Sequence, residues 1–128
     1  MKHRSPTING DGTFSRDFTY IDNVIQMNIL ALTTTNKKAL NEVYNTAVGD
    51  RTTIKQMSNL LKKFLSKYDS KIADIPINHG PNRQGDVPHS LASIDKATNL
   101  LGYKPSHKFE EGLQQAVKWY WKNYSKHT

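Results

Sequence analysis

Three strand-like stretches, residues 6–9, 42–48 and 72–77, alternate with long amphipathic stretches, and none leads into a glycine-rich turn of the G-x-G-x-x-G kind. A doubly wound dinucleotide-binding sheet begins on such a turn and repeats strand–helix units from it. This chain cannot complete that sheet alone. The order strand, helix, strand, helix, strand, loop, helix, helix predicts a small mixed α/β lobe, the smaller part of something larger.

Residues 6–9 read as a short extended segment stopped by Gly10-Asp11-Gly12. Ile21, Val24, Ile25, Ile29 and Leu32 recur at helical spacing, predicting a helix over about 20–33 with Asp22 near its start. Residues 42–48 alternate and end at Gly49-Asp50, the pattern of a strand and a turn. Thr53 is placed to cap a helix whose stripe is Ile54, Met57, Leu61, Phe64, Leu65 and Tyr68. A further strand is expected at 72–77, then a loop over 79–88 whose glycines and prolines forbid regular structure. Ser93 opens a short helix that Gly102 stops, and Pro105 prevents its resumption. The last helix spans about 109–124, with Phe109, Leu113, Ala116, Val117, Tyr120 and Tyr124 on its packed side and Lys108 as an unfavourable cap.

A chain of 128 residues is one domain at most. Its hydrophobic content of 36% and mean hydropathy of −0.70 are low for a self-contained globule and suit a lobe that leans on a neighbour. There are no cysteines, which excludes disulfides and thiolate metal sites. No apolar run is long enough for a membrane span, and Met1 to Pro6 lack a signal peptide's apolar segment, so the expected location is the cytoplasm. The net charge of +7 permits a polyanion partner, but Lys55, Lys62, Lys63, Lys67 and Lys71, then Lys104, Lys108, Lys118, Lys122 and Lys126, fall where helices face water. A basic polyanion-binding module is therefore the distant alternative, and no nucleic acid is expected. The five histidines show no metal-ligand spacing and read as exposed; Trp119, Tyr120 and Trp121 read as packing rather than a base-stacking platform.

Two loops carry the chemistry. Gly10 to Asp22 and Arg83-Gln84-Gly85-Asp86 each set an arginine beside an aspartate in a glycine-bearing loop. Guanidinium forks from separate loops can clamp a diphosphate, which makes Arg16 and Arg83 the natural pair. Asp86 can accept two ribose hydroxyls. The plain alternatives are surface pairs, Arg16 with Asp17 and Arg83 with Asp86. Neither loop supplies a reaction centre, so no catalytic residue and no metal ligand is expected here.

The runs INGDGTFSRDFTYIDNVIQMNILAL, NEVYNTAVG, NRQGDVPHSLASIDKATNLLGYKP and FEEGLQQAVKWYW, in that order, resemble the C-terminal portion of extended short-chain dehydrogenase/reductases. The likeness is to NAD-dependent sugar-nucleotide epimerases and dehydratases, in particular UDP-N-acetylglucosamine 4-epimerases of bacterial polysaccharide synthesis. It implies residues 6–124 as a nucleotide-sugar-binding lobe, 1–5 as a leader outside the family pattern and 125–128 as a tail. By position, Arg16 and Arg83 would bind the UDP diphosphate, Asp86 the ribose, and Thr7 and Asn9 the uracil. Ser90 falls where such enzymes carry a bulky residue if restricted to plain hexoses and a small one if they admit an N-acetyl group. The resemblance implies NAD as cofactor, held by a Rossmann domain that these residues do not include, and a possible homodimer in the full enzyme. No tyrosine here has lysine four positions on, so the Tyr-x-x-x-Lys that performs the proton transfer is absent and the chain is expected to be inactive alone. Related lobes, of UDP-glucose 4-epimerase, UDP-glucuronate enzymes or dTDP-glucose 4,6-dehydratase, stay open as alternatives.

Overall fold

A computed structural model describes residues 3–125. The first two residues of the expected leader, and Lys126, His127 and Thr128 of the tail, lie outside the described residues. Four helices carry the structure: α1 (Ile21–Thr33), α2 (Ile54–Leu65), α3 (Asp95–Leu101) and α4 (Phe109–Tyr124). Four very short strands join them. β1 (Thr7–Asn9) pairs in parallel with β4 (Asn78–Gly80), and β2 (Ser15–Arg16) pairs antiparallel with β3 (Thr52–Thr53). Pairs this short have little stability of their own, so the helices and side-chain clamps must hold them.

Where local signals are strong, the helices form as expected. Thr53 accepts from the Gln56 amide while the Gln56 side chain accepts from the Thr53 amide, a complete capping box at α2. α3 ends at Gly102 in the left-handed conformation (φ +68°). Glu111 compensates for the poor cap at α4 by accepting from the Lys108 amide at 2.9 Å.

Two strand expectations are corrected. Residues 42–48 form no strand: the described chain offers them no partner edge, and only Ala47 and Val48 at their end are buried. Residues 72–77 form no strand either, because Asp69 caps a 3₁₀ turn over Ser70–Asp74 through the Lys71 amide, and the strand begins later, at Asn78. Pro76, which has no N–H to donate, lies between the two.

The packed faces of two helices also differ from the hydrophobic stripes. On α1, Ile21, Ile25, Ile29 and Leu32 are exposed, Leu32 by 86%, while Asn23 and Met27 are buried. On α4, Tyr120 and Tyr124 are exposed, and Val117 and Gly112 face inward. Trp121 stacks instead on Tyr68 beyond the end of α2, with centroids 5.1 Å apart, and α2 packs along α4. The core is a cluster of Met27, Ala39, Ala97, Leu101 and Tyr103. Tyr103 is fully buried and donates to the Ala47 carbonyl at 2.8 Å; burial first, and the Asp17 carboxylate second, push its phenol pKa upward.

Asn23 helps to fix which face of α1 turns inward, the face that also carries Met27 and Leu30. Fully buried, it donates to the His107 carbonyl at 2.8 Å and accepts from the His107 amide and the Ser106 hydroxyl, both at 3.0 Å. It thereby ties α1 to the loop that begins α4. Gly112 lets the two helices meet: a Cβ there would stand 2.5 Å from the Tyr20 Cβ. Asn23→Ala removes the side-chain partner of a buried turn, and urea unfolding is expected to show a loss of about 2–3 kcal/mol, with a lower midpoint and an unchanged m value.

Candidate functional site

The segment from Gly10 to Asn23 builds one wall of the site, and several of its side chains go to different anchors. Asp11 accepts from the Thr13 amide at 2.9 Å and the Thr13 hydroxyl at 2.6 Å, closing the turn. Gly12, at φ +81°, lies against α2: its carbonyl accepts from the Lys55 amide at 3.0 Å, and a Cβ there would be strained and crowded against the Lys55 Cβ. Asp17 accepts from the amides of Val48 and Gly49, both at 3.0 Å. Phe18 packs on Phe109 at 5.2 Å and Tyr20 meets His107 edge-on at 5.1 Å.

Arg16 is left to face the cavity. Its Nη1 donates to the Ser15 carbonyl at 2.9 Å and the Pro88 carbonyl at 3.4 Å, and its Nη2 lies 3.8 Å from an Asp86 carboxylate oxygen. The two plain salt-bridge alternatives are thus not what forms. Asp17 caps a backbone turn, and Asp86 pairs with Arg16 rather than with Arg83. Both Arg16 and Asp86 are about one third exposed, so the contact is partly screened and leaves both groups accessible to a ligand.

Thr7, Asn9, Arg16 and Asp86 line one cavity of about 670 Å³ between β1, β2 and α2. Much of the rest is apolar, from Phe14, Ile54, Met57, Leu61, Ile72, Ile75 and Ile77, while His3, Arg4 and Ser58 add polar groups to the lining. Lys62 also lines it and donates to the Ile75 carbonyl at 2.8 Å, so this lysine is not the freely solvated charge its helical position suggests. Four of the six residues singled out in the sequence therefore meet. The other two stand outside the lining. Arg83 is exposed at the start of a turn that returns to Asp86, whose amide donates to the Arg83 carbonyl at 3.3 Å, with Gly85 at φ +82° in the turn. Ser90 is exposed beside β2, its amide donating to the Ser15 carbonyl at 3.1 Å.

Asp17, Ser15 and His89 escape a reading of the sequence. Asp17 looks like the partner of adjacent Arg16, whereas its true partners lie 31 and 32 positions away. His89 is exposed, as the sequence suggests, and in addition its Nδ1 is 2.9 Å from the hydroxyl of buried Ser15. Among the described residues, no group of three or more histidine, aspartate or glutamate side chains could hold a metal ion, and no helix is long and apolar enough to cross a membrane.

Comparison with known proteins places the sequence and the fold. The family model for GDP-mannose 4,6 dehydratase matches residues 1–116. UDP-glucuronate 4-epimerase 5 of Arabidopsis thaliana is 34% identical in an alignment of 120 positions that covers 85% of this chain and 26% of that protein. A UDP-N-acetylglucosamine 4-epimerase from Methanobrevibacter ruminantium, solved with UDP-N-acetylmuramic acid, superposes with a TM-score of 0.78 at 35% identity, covering 92% of this chain and 35% of that one. A UDP-glucuronic acid 4-epimerase mutant from Bacillus cereus, solved with a fluorinated UDP-glucuronic acid and NAD, gives 0.79 at 32%, covering 93% and 36%. The fold is that of the C-terminal portion of an extended short-chain dehydrogenase/reductase. Within that class, the chain belongs to the GDP-mannose 4,6 dehydratase family of sugar-nucleotide epimerases and dehydratases. It spans about a third of the length of these solved relatives and about a quarter of the plant protein.

The Asp11 turn is testable by titration. Hydrogen bonds from Thr13, side chain first and backbone second, hold the Asp11 carboxyl below the ordinary aspartate range. A folded value depressed in this way adds stability above the unfolded value, and that contribution disappears as pH falls through the folded one. Carboxyl-carbon NMR is expected to find a low midpoint for Asp11, and Thr13→Ala is expected to raise it.

Proposed function

We propose that this chain is the lobe of a UDP-N-acetylhexosamine 4-epimerase that grips the nucleoside diphosphate. The observation that carries the reading is the convergence of Thr7, Asn9, Arg16 and Asp86 on one cavity, with the Arg16 guanidinium held by backbone carbonyls and its Nη2 edge directed at Asp86. A fork held in place before the ligand arrives loses little freedom on binding, which suits it to a diphosphate. Asp86 accepts from the ribose hydroxyls, and Thr7 and Asn9 present the polar edge of the cavity to the base. Arg83, in its exposed turn three residues from Asp86, closes on the diphosphate from outside. Exposed Ser90 leaves room for an acetamide where a large side chain would collide with it.

The residues present do not fit NAD. The Gly10–Gly12 turn leads into a strand, and Gly10 itself is engaged by β4 and its neighbour: its amide donates to the Gly80 carbonyl and its carbonyl is 2.7 Å from the His79 ring nitrogen. A dinucleotide cradle needs such a turn open at a helix start. NAD and the proton-transfer residues of the complete epimerase therefore belong to other polypeptide. The exposed stripe of α1 and the unpaired 42–48 segment, with Val43 85% exposed, support a second domain packing on that side. This lobe supplies binding energy remote from the reacting carbon, which positions the sugar without taking part in its chemistry.

Calorimetric titration with UDP and with uridine tests the reading. Arg16→Ala is expected to weaken UDP by about tenfold to a hundredfold, the worth of a charged hydrogen-bonded contact, and to leave uridine unchanged. Equal UDP affinity in the variant would overturn the assignment. Ser90→Tyr is expected to reduce binding of UDP-N-acetylglucosamine more than that of UDP-glucose, read by competition against UDP; an equal loss of both would remove Ser90 from the specificity argument.

A further inference from the structure

The segment following Asp86 is laid along β2 as a strand in all but length. Ser15 donates its amide to the Pro88 carbonyl at 2.9 Å, Ser90 donates its amide to the Ser15 carbonyl at 3.1 Å, and Ser15 and His89 form a parallel bridge. Two backbone bonds over three residues make a weak ladder. One side-chain bond reinforces it, between the Ser15 hydroxyl and His89 Nδ1 at 2.9 Å. Ser15 is 5% exposed, so its hydroxyl would otherwise be a polar group with few partners.

The same two backbone carbonyls orient Arg16. Its Nη1 bonds the Ser15 carbonyl on β2 and the Pro88 carbonyl on the docked segment, so the fork is aimed correctly only while the two stay together. Asp86, which faces Arg16, lies two residues before Pro88, and Ser90 directly follows His89. We infer that His89 is a positioning residue of the nucleotide-sugar site. Its bond to Ser15 seats residues 87–90 on β2 and thereby sets Arg16, Asp86 and Ser90 relative to one another. The seating is a property of this chain alone; its consequence for ligand rests on the UDP-sugar reading.

Asparagine can place an amide oxygen or nitrogen about where Nδ1 stands, whereas glutamine carries its amide one bond further out. That gives a conservative rescue. On the 128-residue chain, amide hydrogen exchange by NMR and UDP titration are measured for the wild type, Ser15→Ala, His89→Ala, His89→Asn and His89→Gln. Ser15→Ala and His89→Ala are each expected to speed exchange of the Ser15 and Ser90 amides and to weaken UDP, both by about tenfold, with the double variant no worse than either single one. His89→Asn is expected to restore both readouts to within about twofold, and His89→Gln is not. Unchanged Ser90 exchange in His89→Ala overturns the seating. Faster exchange with unchanged UDP affinity overturns the positioning role while sparing the nucleotide site. If the wild type binds no UDP, the nucleotide reading and the functional half of the inference fall together, and exchange still decides the seating.

Discussion

Two bonds, from the amides of Val48 and Gly49 to the Asp17 carboxylate, hold the site segment to the body of the lobe. Ala47, immediately before them, accepts from the buried Tyr103 hydroxyl, so the turn that Asp17 caps is fixed from behind by the core. Hydrogen bonds to an ionised acceptor are roughly twice as strong as neutral ones, which matters in a structure whose strands are two or three residues long. Ordinary sheet pairing could not hold β2 in place. With Asp17 anchored, Arg16 before it is turned toward the cavity, and Phe18 and Tyr20 after it are delivered to α4.

The same economy explains the buried polar residues. Asn23 and Ser15 occupy positions where an apolar side chain would satisfy burial but leave a polar partner unmatched, the His107 backbone for Asn23 and the His89 ring for Ser15. Each makes side-chain bonds that join segments far apart in the sequence, 83 or 84 residues for Asn23 and 74 for Ser15. Buried polar contacts of this kind add specificity of arrangement because only one docking leaves them all paired. The apolar residues left outside by this choice lie on α1 and at Tyr120 and Tyr124.

Helices were legible because their signals are local. The Thr53 cap, the Gly102 stop and the span of α4 lie within a few residues of the elements they define. Strands were less so: residues 6–9 yield β1, but a strand exists only against a partner, and the alternating 42–48 segment has none among the described residues. The candidate site was legible in part for the same reason. Arg16 and Asp86 could be found as residue types in glycine-bearing loops, and Thr7 and Asn9 through family resemblance. That Arg16 would pair with Asp86 while Arg83 stood outside the cavity lining could not, because the partner of a long side chain is set by how two loops dock.

The order of residues alone dictated the helices to within a residue or two, the lack of a dinucleotide cradle, and which side chains are candidates for chemistry. Those features depend on caps, glycines and residue types, which act over one turn of chain. Which helix face turns inward, which aspartate meets Arg16 and how His89 engages Ser15 were settled by folding. Each depends on contacts across 70 or more residues for the latter two, and for α1 on the Asn23 bonds to Ser106 and His107. Hydrophobic periodicity weighs only apolar area, and on α1 the pairing of buried backbone groups outweighed it.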